Sequence, residues 1–141
     1  MSANYLYHTW FHRIEQLWPE LRITQLRNFA WLLVGICLSR SVHLHNIAEQ
    51  IPGRAKLLSL TRRLSRFLNN RHIRVRQLYG PIARDLLQKA GRHGEIRLIL
   101  DATKVGFGHQ LLIVAIAYRG RALPIAWTWV KGRIGHSTSV K

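Results

Sequence analysis

The hydrophobic pattern of the chain changes its period near Gly91 to Gly94, and this change divides the sequence into two parts. Upstream, apolar residues recur three and four positions apart, the spacing that predicts amphipathic helices. Downstream, they form short continuous or alternating runs bounded by glycine, which predicts strands. The sequence therefore predicts an α+β chain, with a helical region over residues 1–92 and the first strands of a second domain over residues 93–141.

Four apolar stripes predict four helices in the first part. The stripes run from Leu26 to Leu38 in a helix that starts near Thr24, from Leu44 to Ile51, from Leu57 to Leu68 and from Val75 to Leu87. Pro52-Gly53 and Asn69-Asn70 end the second and third helices. Gly80-Pro81 interrupts the fourth stripe, which favours a kink, or two helices with Pro81 in the first turn of the second. Cys37 lies within the first stripe and is predicted to be a buried structural thiol.

Three apolar runs in the second part predict an antiparallel meander. They span Ile96 to Leu100, Leu111 to Tyr118 and Ala122 to Val130, with turns at Gly106-Phe107-Gly108 and Arg119-Gly120. Short connections between successive strands favour antiparallel pairing. Pro124 cannot donate a ladder hydrogen bond, so the third strand is predicted to have an unpaired side there. The first two runs are apolar on both faces, so the sheet is expected to need a second covering layer.

The charge balance favours a polyanionic partner. The chain has 22 Lys and Arg against 6 Asp and Glu, for a formal net charge of +16, and its 48% hydrophobic content excludes a disordered basic tail. Counterion release then makes nucleic acid the expected partner. The longest lipid-like stretch, Phe29 to Leu38, is about half the ~20 residues of a membrane span, so no membrane partner is expected. The lack of a secretory signal and the single cysteine favour a cytoplasmic, nucleoid-associated protein.

The positive charge is concentrated in the middle of the helical region, where no acid occurs between Gln50 and Arg84. The candidate DNA-binding residues are Arg54, Lys56, Arg62, Arg63, Arg66, Arg71, Arg74 and Arg76. A short helix, a Pro-Gly turn and an Arg-rich helix resemble a helix-turn-helix, which would place the third helix near the major groove. A solvated basic face is the alternative interpretation.

Asp101 closes the first apolar run of the strand region, and no Asp or Glu follows it among residues 102–141. Such a residue most often ends a strand and caps the next turn, here together with Thr103. A carboxylate at the end of a buried strand in a basic chain is also where a nucleic-acid enzyme would hold a metal ion. Such metal sites need several carboxylates, so the local pattern leaves both interpretations open.

Three sequence blocks, in this order and spacing, resemble the N-terminal part of a bacterial insertion-sequence transposase of the DDE type. They are RRLSRFLNN at residues 62–70, LILDAT at 98–103 and YRGRALPIAW at 118–127, within a match over about residues 26–137. The resemblance implies a helical DNA-binding region followed by a ribonuclease-H-like catalytic domain. It implies that Asp101 is catalytic and binds Mg²⁺ or Mn²⁺. It also implies that the protein acts on double-stranded DNA, at the element ends and at the target, in cut-and-paste transposition. It leaves a homodimer open.

Two functions are compatible with this resemblance. The first is a transposase whose reading frame is truncated, or whose remainder is supplied by a frameshifted or adjacent frame. The family's second Asp and its Glu have no counterpart after Asp101, and the other acids of the chain precede the first strand. The second is a non-catalytic DNA-binding remnant or regulator of transposition, which would bind DNA in a salt-sensitive way without metal-dependent cleavage.

Overall fold

Five helices precede a three-stranded antiparallel sheet in the computed structural model, which describes residues 2–92, 94–106 and 108–131. The helices are α1 (Ala3–Leu17), α2 (Ile23–Ser39), α3 (Leu44–Glu49), α4 (Leu57–Leu68) and α5 (Val75–Gly91). The strands are β1 (Leu98–Lys104), β2 (His109–Tyr118) and β3 (Arg121–Lys131), with β2 in the centre. The predicted α+β class and the antiparallel meander are therefore confirmed.

The chain forms two compact units, residues 1–78 and 79–141, which divide inside α5 between Leu78 and Tyr79. The change of hydrophobic period had predicted a division after residue 92. The difference arises because α5 has the period of a helix, whereas its side chains from Tyr79 onward pack on strands. Tyr79 contacts the ring of Trp127 on β3 at a centroid distance of 5.1 Å.

Helices α2, α3 and α4 enclose the main core of the helical unit. Its buried members are Leu32, Ile47, Ala48, Ile51, Leu60, Leu64 and Phe67. On α4 the buried residues recur four and three positions apart, as the apolar stripe predicts, and Leu64 is fully buried. Burying one such leucine side chain stabilises a fold by about 1.5–3 kcal/mol, so this face anchors α4.

Gly35 allows α2 to approach α3 closely. A Cβ atom at this position would lie 2.4 Å from Cγ2 of Ile47 and 2.8 Å from the Ile47 carbonyl oxygen. Neither separation is compatible with van der Waals contact, and the carbonyl belongs to the backbone of α3. The α2–α3 packing distance therefore depends on the absence of a side chain at residue 35.

Helix α1 was not predicted, although the sequence contains its signals. Ser2 caps the helix by accepting a hydrogen bond from the Tyr5 amide at 3.3 Å. Tyr7, Phe11, Ile14 and Trp18 are four, three and four positions apart, and Tyr7 stacks on Trp31 of α2 with ring centroids 4.4 Å apart. The N-cap and this spacing together would have predicted the helix.

At Pro81 the structure excludes one of the two expected alternatives, and the prediction for Cys37 is wrong. Helix α5 continues through Pro81, so the chain does not form two helices there. Packing on both sides of Pro81 holds the helix, since Tyr79 contacts Trp127 and Leu86 lies beside Ile116 and Leu123. The sequence also predicted a buried Cys37, but this residue is exposed. Helix α3 approaches α2 at Gly35, and two residues further on the helix has turned by about 200°, which directs Cys37 away from α3.

Strand β1 begins and ends later than its apolar run predicts. It spans Leu98–Lys104 rather than Ile96–Leu100, because its register is set by the hairpin with β2. Leu98 pairs with Ile116 and Lys104 with Gln110, and the Val105 amide donates to the His109 carbonyl to close the hairpin. Phe107, at the centre of the predicted glycine turn, lies outside the described residues. Asp101 therefore lies in the middle of β1 and does not end it.

The β2–β3 connection is a tight turn in which both central residues have positive φ, 48° at Arg119 and 73° at Gly120. This is the pattern of a type I′ turn, which suits the twist of two paired strands. Left-handed backbone costs a residue with a side chain of the order of 1–2 kcal/mol. Arg119 therefore occupies a position that asparagine or glycine would occupy at lower cost.

Pro124 lies on β3, which is an edge strand of the sheet, as predicted. It pairs with Ala115, next to a shift of register between Val114 and Ala115. The Pro124 carbonyl oxygen accepts a hydrogen bond from the Tyr79 hydroxyl. Proline is tolerated here because an edge strand and a bulge both leave backbone amides outside the ladder.

Strand β1 is the opposite edge, and all seven of its residues are exposed. Leu98, Ile99 and Leu100 retain 59%, 41% and 68% of their accessible surface. Nothing in the described part of the chain covers these side chains. The covering layer that the apolar sequence of β1 favours is therefore not formed by the described residues.

Candidate nucleic-acid interface

The outer face of α4 carries two exposed arginines and two serines. Ser59, Arg62 and Arg66 are three and four positions apart, so they follow one another along the same face of the helix. Together with Ser65 they line an open cleft of about 490 Å³. The opposite face of α4 is the buried one, so packing of the core fixes the direction in which these polar side chains point.

This face has the chemistry of a phosphate-binding surface. The guanidinium group donates two parallel hydrogen bonds in a planar fork that matches a phosphate, and serine hydroxyls add neutral donors. The Ser65 Oγ accepts from Asn69 Nδ2 at 3.4 Å, which leaves its own O–H available to donate. No Asp or Glu occurs between residues 51 and 84 to compete for the arginines within this segment. Sequence reasoning missed Ser59 and Ser65, which their helical spacing from Arg62 would have identified.

The structure separates Arg63 from the other two arginines of α4. Arg63 is half-buried, and its Nε is buried without a hydrogen-bond partner among the described residues. It lies near Tyr7 of α1. Burial raises the pKa of the Tyr7 hydroxyl, and the positive charges of Arg27 and Arg63 oppose that shift. One residue step rotates a side chain by about 100° around the helix, and this turns Arg63 away from the cleft.

The remaining predicted DNA-binding residues are exposed but lie outside the cleft on α4. Arg54 and Lys56 belong to the connection between α3 and α4, and Lys56 is the N-cap residue of α4. Arg71 and Arg74 follow α4, and Arg76 lies in the first turn of α5. Along the chain, two of these five residues precede α4 and three follow it, whereas Arg62 and Arg66 lie within the helix.

Asp101 is exposed in the middle of β1, where its carboxylate accepts a hydrogen bond from the Thr103 hydroxyl at 3.2 Å. The predicted association with Thr103 is therefore present, although within a strand and not at a turn. Asp101 pairs with Ile113 of β2, which in turn pairs with Trp127 of β3. Residues opposite one another in a sheet share a face, so the neighbours of Asp101 across the strands are apolar.

The described residues do not form a site for Mg²⁺ or Mn²⁺ by themselves. No group of three or more His, Cys, Asp or Glu side chains within residues 2–92, 94–106 and 108–131 is arranged to hold a metal ion. Asp101 supplies one carboxylate, whereas a pair of divalent ions needs several oxygen ligands. Any metal chemistry at Asp101 would depend on ligands that the described part of the chain does not supply.

No helix among the described residues is long and apolar enough to cross a membrane. Comparisons of the chain with protein-family models, with curated proteins and with solved structures return no match. The functional assignment therefore depends on the residues and geometry of the chain itself.

Proposed function

We propose that this chain is the DNA-binding part of a DDE-type transposase, and that α4 binds duplex DNA. The observation that carries the proposal is the outer face of α4, where Arg62 and Arg66 project into one cleft with two serine hydroxyls. Duplex DNA has one negative charge per about 1.7 Å of its axis, so a helix that presents arginines along one face gains affinity by releasing counterions.

The packing around α4 supports a helix-turn-helix arrangement. Helix α3 is short and packs on α4, and α2 contacts both helices from behind through the shared core. A connection that contains Pro52 and Gly53 joins α3 to α4, and Gly53 has a φ of 133° that suits glycine. In a helix-turn-helix the second helix enters the major groove while the first crosses the backbone. On this arrangement α4 would enter the groove, and Arg54 and Lys56 would lie at its N-terminal end beside the phosphates.

The proposed place of the chain in transposition rests on the three sequence blocks and on the position of Asp101. In the transposase, Asp101 would supply one carboxylate of a ribonuclease-H-like site for Mg²⁺ or Mn²⁺. Residues 102–141 contain no Asp or Glu, so the other carboxylates of the site would not come from them. The same proposal implies a cytoplasmic, nucleoid-associated protein acting on element ends and target DNA, with a homodimer as one arrangement. The alternative is a non-catalytic DNA-binding remnant or regulator. Among the described residues, Asp101 is not part of any group of three or more side chains that could hold a metal ion, and this favours the alternative.

Replacing Arg62 and Arg66 with alanine is expected to weaken DNA binding and to flatten its salt dependence. Each lost phosphate contact lowers the log-log slope of affinity against salt by about 1, so the double variant should lose about 2. The measurement is the fluorescence anisotropy of a labelled random-sequence duplex, titrated with protein between about 50 and about 200 mM NaCl.

The matched control is Arg13→Ala, which removes an exposed arginine from α1, outside the proposed surface. Its slope should equal that of the unmodified chain. Exposed substitutions of this kind change stability by less than about 0.5 kcal/mol, which thermal unfolding would verify. If the double variant and Arg13→Ala reduce the slope equally, the charge acts non-specifically and α4 is not the interface. If the unmodified chain binds no DNA, the proposed function itself is wrong.

A further inference from the structure

A second cluster of basic side chains lies at one end of the sheet, in the other unit of the protein. Arg97 precedes β1, and Arg119 occupies the turn between β2 and β3. The Ala117 amide donates to the Arg97 carbonyl at 2.9 Å, which holds the two segments side by side. Both arginines line a cleft of about 290 Å³ together with Tyr118 and Glu95. The fold therefore brings two arginines that are distant in sequence to one cleft.

The backbone at Arg119 has a conformation that other residue types adopt at lower cost. Its φ of 48° is the left-handed conformation that asparagine and glycine adopt most readily in a type I′ turn. An arginine there destabilises the turn, and strained backbone of this kind concentrates at functional positions. The Arg119 guanidinium also lies over the ring of Tyr118, 5.2 Å from its centroid. This cation–π contact limits the freedom of the side chain before any ligand arrives.

Among the residues that the structure describes, the two arginines have no acidic partner within salt-bridge distance. Neither Arg97 nor Arg119 forms an ion pair with any residue in the described part of the chain, whose salt bridges join His12 to Glu15, His45 to Glu49, and Lys89 to Asp85. Glu95 lines the same cleft and contributes the only negative charge among its lining residues. The cleft therefore combines two exposed cations with one anion and retains a net positive charge.

We infer that this cleft binds a backbone phosphate of duplex DNA, as a second contact separate from α4. The inference rests on the proposed function, because it assigns an additional position to the same DNA ligand. A phosphodiester is the ligand class that fits two guanidinium forks at the mouth of an open cleft. Tyr118 holds Arg119 in place, and Arg97 supplies the second fork from the segment before β1. The chain would then bind DNA through both of its units.

Arg119→Asn tests this inference, because asparagine suits the left-handed turn and lacks the positive charge. The variant is expected to unfold at a temperature equal to or above that of the unmodified chain. Its salt slope on the labelled random-sequence duplex should fall by about 1, and by about 2 when Arg97→Gln is added. Arg119→Lys keeps the charge and should retain the slope. Glu95→Gln removes the negative charge from the cleft and should strengthen binding at every salt concentration.

Several outcomes would overturn the inference. It fails if Arg119→Asn retains the full slope, if Arg119→Lys loses as much slope as Arg119→Asn, or if Glu95→Gln leaves the affinity unchanged. The result for α4 keeps the two proposals distinct. An unchanged slope for Arg119→Asn combined with a loss for Arg62→Ala/Arg66→Ala would reject the cleft and keep α4. Absence of binding by the unmodified chain would reject both.

Discussion

Gly35→Ala is expected to destabilise the helical unit by about 2 kcal/mol, the middle of the range for overpacking a core. Alanine normally stabilises a helix interior by about 1 kcal/mol relative to glycine. Here the added Cβ would lie 2.8 Å from the Ile47 carbonyl oxygen, which belongs to the backbone of α3 and cannot rotate away. The helices would have to separate, and Ile47, which is 1% exposed, would lose its packing. The steric cost therefore exceeds the gain in helix propensity.

Urea unfolding followed by helical circular dichroism would measure this loss. Gly91→Ala is the matched control, because a Cβ at that helical residue would meet only Cδ1 of Ile96, at an ordinary 3.6 Å. The control should be neutral or stabilising by up to about 1 kcal/mol. A Gly35→Ala variant as stable as the unmodified chain would show that α2 and α3 do not approach as closely as described.

On the transposase proposal, Asp101→Asn is expected to reduce strand cleavage to background while leaving duplex binding unchanged. Asparagine keeps the size of the side chain and still accepts a hydrogen bond from Thr103, but it has no negative charge with which to hold a cation. On the same proposal, the assay combines this chain with the other products of the insertion sequence, because residues 102–141 contain no Asp or Glu. Cleavage of a duplex that carries the element ends would be measured with Mg²⁺ or Mn²⁺, and binding would be measured by anisotropy.

Asp85→Asn is the control for this substitution. Asp85 is an exposed acid of α5 that pairs with Lys89 at 2.7 Å, so its loss removes the same charge far from the strand in sequence. Cleavage should persist in that variant. Cleavage that also persists in Asp101→Asn would remove Asp101 from the catalytic site. If no combination of products cleaves DNA while binding remains, the non-catalytic alternative accounts for the protein.

Much of the secondary structure follows from local patterns. The stripes around Leu26, Leu44 and Leu57 predicted helices that the structure places within a few residues of the expected bounds. The Arg119-Gly120 turn and Pro124 likewise predicted a tight hairpin and an edge strand. The helical spacing of apolar residues, the residue types in turns and the missing amide of proline each act over a few residues. Their effects can therefore be predicted without knowledge of the fold.

The bounds of β1 do not follow from local sequence patterns. The apolar run ends at Leu100, yet the strand continues to Lys104 because Gln110 and Leu111 of β2 pair with its polar end. Strand register is a property of two segments and of the turn that joins them. The exposure of Asp101 depends on the same pairing and on what lies over the sheet, neither of which the residues around it specify.

The candidate DNA-binding residues were also predicted only in part from the sequence. The sequence identified a basic segment without acids, but it could not rank the members of that segment. Arg63 is half-buried and turned away from the outer face of α4, while Arg62 and Arg66 line one cleft with Ser59 and Ser65. Arg97 and Arg119 were not among the candidates at all, since only the pairing of β1 with β2 brings them into one cleft.

The sequence by itself determined the order and type of the elements from α2 onward, the concentration of positive charge and the single late carboxylate. These depend on residue identity and on spacing within one turn of helix or one pair of strands. Only the tertiary structure decided which side chains face the core, which cations share a surface, and that Cys37 and β1 are exposed. The physical reason is that burial and proximity are set by contacts between segments distant in sequence, such as Gly35 with Ile47.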